Sequence, residues 1–169
     1  MLARNETIIK WLLYAGAALL CYLVQGGLQY FTVWGVIPFL YPLAAVIPAT
    51  YEGPTAGTIF AIGAGVICDL LLPGPIPCIY TLIFPLAALC GGLLSQGLLP
   101  AGIFCSLAAA AAGFLLLDGF HCVILWANGK AAWEAGGWVM VREFCVTAPF
   151  VIPVTLLYRS VYRHTRFDD

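Results

Sequence analysis

The 169-residue sequence predicts an all-α membrane protein, a bundle of six transmembrane helices. Three observations lead there. Hydrophobic residues make up 63% of the chain and charged residues 9%, and the mean hydropathy is +0.99. Those charges are too few to cover a soluble globule, and the apolar runs are of bilayer length. The basic residues also collect at the two ends, with Arg4 and Lys10 before the first apolar run and Arg159, Arg163 and Arg166 after the last. By the positive-inside rule both termini belong in the cytoplasm, which six crossings satisfy and five do not. Spanning segments use up most of the chain, so residues 1–169 are expected to form a single integral membrane domain with no separate soluble unit.

The first helix is expected over 11–28, where Gln29, Tyr30 and Phe31 mark an interfacial exit. No small-residue cleavage site follows it, so it reads as a retained span and not a signal peptide. The second, 36–50, is short and carries Pro38, Pro42 and Pro48, which remove backbone donors and predict a bent or oblique helix. The third, 54–72, starts at Pro54, favoured in a first turn, and stops at Pro73-Gly74-Pro75. The fourth covers 76–94, the alanine-rich fifth 101–126 and the sixth 139–158. In this topology Glu52 is cytoplasmic while Pro75 and Lys130 face outside. Trp126, Trp133 and Trp138 then flank an external loop as interface anchors.

The third helix carries the most information. Gly53, Gly57, Ala61, Gly65 and Asp69 recur every four residues, so small side chains and then a carboxylate follow one face. Such stripes let helices approach closely enough for dispersion to act. The pattern predicts that this helix is the packed centre of the bundle, with the stripe facing either a neighbouring helix or a partner. A carboxylate at a helix centre in lipid costs on the order of 3 kcal/mol unless it is partnered. Asp69 is therefore read as a structural acceptor, a contact to a partner helix, or a proton or ion handler. It lies 17 residues beyond Glu52, about 25 Å along a helix. Asp118 in the fifth helix, His121 one turn on, and Arg142 in the sixth reach comparable depth, which predicts a polar cluster of Asp69, Asp118, His121 and Arg142.

Two ligands without a third nearby make no metal site, so neither metal nor cofactor is expected. Ser95 has no suitable His partner, and no carboxylate-rich motif is present for holding a metal and a phosphorylated lipid, so an enzyme is not expected. The seven cysteines form no CxxC pair. Six of them (Cys21, Cys68, Cys90, Cys105, Cys122 and Cys145) read as small buried hydrophobes, and Cys78 as the accessible one.

Gly57, Phe60, Gly65, Asp69 and Leu70, then Gly74 and Tyr80, form a G…F…GxxxDL…G…Y pattern that resembles the rod shape-determining MreD family. Asp118 with Phe120, and the closing Pro149, Tyr158 and Arg159, are similar to that family as well. The resemblance implies a six-helix bundle like the substrate-binding component of energy-coupling-factor vitamin transporters. It also implies a non-enzymatic scaffold of the bacterial elongation machinery in the plasma membrane. Its expected partners are MreC and, through the complex, RodA with its transpeptidase and MreB filaments, besides membrane lipid; nucleic acid is not expected. The alternative from another class is a vitamin-binding transporter component, for which the cluster around Asp69 and Asp118 would line the site.

Overall fold

The computed structural model describes residues 2–72, 77–129 and 133–165, so Pro75, Lys130 and Arg166, on which part of the predicted topology rests, lie outside the described residues. Six helices make up most of the described chain, in the order α1 (Leu2–Leu28), α2 (Tyr41–Glu52), α3 (Pro54–Leu71), α4 (Ile79–Gly97), α5 (Ile103–Ala127) and α6 (Trp133–Thr165). Five of these six helices are long and apolar enough to cross a bilayer; α2, with 12 residues, is not. The chain is a multi-pass membrane protein.

The centre of the bundle is α2 and not the small-residue helix α3, which corrects the expectation. Every residue from 41 to 50 is buried, whereas the outer side of α3 is open, with Leu70 80% and Ile59 67% exposed. The reason lies in side-chain size. The Gly and Ala positions of α3 let it lie close against its neighbours on one side, while Ile59, Ile62, Val66, Ile67 and Leu70 on the other side suit lipid. In α2, Leu43, Ala44, Ala45, Val46 and Ile47 are each fully buried, so no face of this helix is left for lipid.

The prolines decide how α2 begins. Pro38 offers no N–H and biases the residue before it away from the helical region, so residues 36–40 run outside any helix and α2 starts at Tyr41 instead of 36. The extended lead-in is anchored by side chains. The Gln25 amide of α1 donates to the Pro38 carbonyl (2.8 Å) and accepts from Leu40 N–H (2.6 Å), and Phe39 N–H donates to Thr147 Oγ1 of α6 (3.0 Å). These bonds do the work that water does at a soluble helix terminus, as irregular backbone inside a membrane requires. Before it, Val33 and Val36 exchange two backbone hydrogen bonds around Trp34 and Gly35, both at positive φ (54° and 77°).

At its far end α2 turns directly into α3 at Gly53, whose φ of +88° only glycine adopts readily. There Glu52 pairs with Lys10 of α1 and accepts a hydrogen bond from the Tyr14 hydroxyl (2.9 Å). Tyr158 of α6 donates to the Ala44 carbonyl (2.9 Å), and Tyr22 of α1 to that of Ala64 (3.2 Å). Three buried tyrosines thus tie α1 and α6 to the α2–α3 hairpin, each with its hydroxyl satisfied. Between Leu28 and Glu52 the chain returns most of the length of α1, about 27 Å from residue 28 back to residue 10.

The outer helices also differ from their predicted bounds. Helix α6 begins at Trp133, ten residues before Glu143, so Arg142 and Glu143 lie well inside it. Cys21, Cys68 and Cys105 are buried and Cys78 is exposed, but Cys90 and Cys145, expected inside, are exposed, and Cys122 is half-buried. A thiol is apolar enough to face acyl chains, so apolarity alone does not distinguish core from lipid-facing positions.

Candidate functional site

Asp69 stands in the last turn of α3 beside the start of α4. Its carboxylate accepts from the backbone N–H groups of Tyr80 (3.1 Å) and Thr81 (2.9 Å) and from the Thr81 hydroxyl. Cys78, the residue preceding α4, is left-handed (φ 61°) and supplies no side-chain cap. The carboxylate of the neighbouring helix takes that place, satisfying amides that have no intrahelical partner and meeting the positive end of the α4 dipole. Gly65, one turn earlier, completes the seat: a Cβ there would lie 2.7 Å from Thr81 Cα and Tyr80 O.

The rest of the small-residue stripe also packs inside the chain. A Cβ on Gly57 would lie 2.2 Å from Ala49 Cβ of α2, and Ala61 is fully buried. At Gly53 a Cβ would have the Gln96 side chain at 3.4 Å. Close approach is not confined to this stripe. Gly92 would place a Cβ 2.5 Å from Pro54 Cα, and Gly136 would place one 2.4 Å from Cys122 Sγ.

Asp118, His121 and Glu143 meet elsewhere, between α5 and α6, where they line a pocket of about 370 Å³ with Cys122, Val139 and Met140. The carboxyl groups of Asp118 and Glu143 face one another across α5 and α6, close enough to interact electrostatically. Asp118 Oδ2 is buried without a hydrogen-bond partner among the described residues. Arg142, the predicted cation of the cluster, is exposed and does not line this pocket. Asp69 is occupied at the α4 cap, and Tyr80, whose N–H it accepts, is within electrostatic reach of Asp118 and Glu143 as well. The predicted cluster of four thus resolves into a capping carboxylate, an Asp–His–Glu group and a surface arginine.

Glu143 also lines a second depression of about 560 Å³ with Gln25, Gln29, Phe39, Tyr41 and Leu72. Among the described residues no three His, Cys, Asp or Glu side chains are placed to hold a metal ion.

Sequence reasoning missed Glu143, Gln25, Thr147 and the Lys10–Glu52–Tyr14 contact. The signal for Glu143 was present: it continues the buried stripe Tyr158, Val154, Val151, Thr147 at steps of three or four residues, whereas Arg142 falls beside it. Gln25 is a polar residue within an apolar helix, which in a membrane points to a neighbour in need of hydrogen bonds. No protein-family model, no characterised protein and no solved structure matches this chain.

Proposed function

We propose that this chain is a non-enzymatic membrane scaffold of the MreD type, binding an MreC-type single-span partner and, through it, the RodA polymerase, its transpeptidase and MreB filaments. The observation that carries the reading is where the resembling residues fall. Gly57 seats α3 on α2, and Gly65 and Asp69 seat α4 at Tyr80 and Thr81, so four positions of the pattern build one packing unit. Gly74 lies outside the described residues. A pattern used for packing accords with a protein whose task is to present a rigid surface. In this reading α2 and its extended lead-in make the sixth crossing, and both termini are cytoplasmic in the bacterial plasma membrane.

A second reading, the vitamin-binding component of a transporter, draws support from the two depressions that share Glu143. Co-expression separates the two. The scaffold reading expects stable co-purification with the cognate MreC-type protein and no thermal shift with vitamins. Failure to co-purify when both proteins are folded in membranes overturns it, and a saturable vitamin-induced rise in melting temperature favours the second.

A further inference from the structure

Take the Asp69 end of the bundle, where α1 stops at Leu28, the extended lead-in runs to α2, and α3 gives way to α4. Phe39 bonds Thr147 of α6 while Pro38 and Leu40 bond Gln25 of α1, so Thr147 and Gln25 lie at similar depth, and Glu143, one turn beyond Thr147, stands near the level of Leu28. Leu72 at the end of α3 borders the same depression as Glu143. From there α6 continues ten residues back to Trp133 and α5 continues nine from Asp118 to Ala127. The α5–α6 hairpin therefore rises about 13–15 Å past the ends of α1 and α3. Each headgroup layer of a bilayer is only about 5–8 Å thick.

The bundle can then sit in a bilayer in two ways. If the ends of α1 and α3 lay at the water surface, the hairpin would hold Phe120, Val123, Leu125, Trp126, Trp138 and Val141 bare in water, each at least 43% exposed. If Ala127 and Trp133 lie at the surface, Trp34 and Cys78 are beneath the headgroups. The loops have the chemistry for the second seating. No charged residue occurs from 29 to 51 or from 70 to 117. Tyr30, Phe31, Val33, Trp34 and Ile37 are exposed, as are Leu70, Leu71 and Cys78. Several backbone donors at this end are met inside the protein: Val33 and Val36 by each other, Phe39 by Thr147 and Leu40 by Gln25 in the lead-in, and Tyr80 and Thr81 by Asp69 in the first turn of α4.

We propose that the lead-in around Trp34 and the start of α4 at Cys78 are submerged in one leaflet and covered by phospholipid acyl chains, and that of the described residues at this end those near Ala127 reach water. The two depressions lined by Glu143 then open towards lipid and not towards bulk solvent. The seating rests on helix lengths and loop chemistry and is independent of the scaffold reading.

The test is depth measurement in liposomes of unsaturated phosphatidylcholine. With the other cysteines replaced by alanine, nitroxides are placed on Cys78, on Trp34→Cys and on Ala127→Cys. Collisions with dissolved oxygen should exceed those with a water-soluble nickel chelate at 34 and 78, with the reverse at 127. Nickel-dominated collisions at 34 or 78, or oxygen-dominated ones at 127, overturn the proposal. A second measurement leaves the cysteines in place: the emission lost in Trp34→Phe relative to wild type should be quenched by lipids brominated on their acyl chains. Quenching of that component by aqueous iodide instead overturns the proposal as well.

Discussion

Asp69 shows how one side chain acquires its meaning from its neighbours. As a carboxylate in an apolar helix it admits capping, partner contact and proton handling; with Tyr80 N–H, Thr81 N–H and the Thr81 hydroxyl on its oxygens it is a cap. Asp69→Leu leaves two backbone donors of α4 unpaired, and an orphaned buried donor costs about 1–3 kcal/mol. Asp69→Asn keeps one acceptor oxygen but turns an amide N–H₂ towards donors and gives up the charge at the helix terminus. Thermal unfolding in detergent should therefore rank wild type above Asn and Asn above Leu; equal melting temperatures for all three would remove the capping role. Glycines on the same helix give a second comparison. Gly65→Ala puts a Cβ against α4 backbone, which cannot yield as a flexible side chain can, at a cost of about 1–3 kcal/mol. Gly63 has open space in that direction, so Gly63→Ala should be neutral or stabilise by up to about 1 kcal/mol. Equal losses at 63 and 65 would mean that α3 packs differently.

At the scale of elements, α2 is a buried helix whose start is fixed by side chains of α1 and α6, so the three form one unit. Gln25→Leu removes the acceptor for Leu40 N–H and the donor to the Pro38 carbonyl, two buried groups each worth about 1–3 kcal/mol when left unpaired. The expected outcome is a lower melting temperature together with faster amide exchange in α2 than in α4. Gln29→Leu, at an exposed position, is the control and should change neither. Uniform acceleration across all helices would indicate global destabilisation instead of a loosened α2.

At the scale of the molecule, the traverse between Leu28 and Glu52 governs topology. Lys10 and Tyr14 in the first half of α1 meet Glu52, while Gln25 near its C-terminal end holds Pro38 and Leu40, so the chain runs back along most of α1 before α3 begins. Thr55 at the start of α3 and Ala127 at the end of α5 should then lie on opposite faces of the membrane. In a cysteine-free background, an impermeant maleimide added to intact cells should label Ala127→Cys but not Thr55→Cys, and permeabilisation should expose the latter. Labelling of both from outside would contradict the traverse.

The sequence by itself determined the class, the helical content and a stripe of small residues suited to close packing, but not what the stripe packs against. Apolar content, charge distribution and four-residue spacing are local properties that a bilayer converts directly into structure. Gly57 and Gly65 were legible for that reason, since only contact explains glycine at such a spacing. Tertiary structure alone decided that α2, interrupted by prolines, is the centre, because burial of all its faces depends on five other helices. It also decided that Glu143 and not Arg142 meets Asp118, because a single residue's step turns a side chain by about 100° around the helix, and only the packed α5–α6 pair selects which neighbour faces inward.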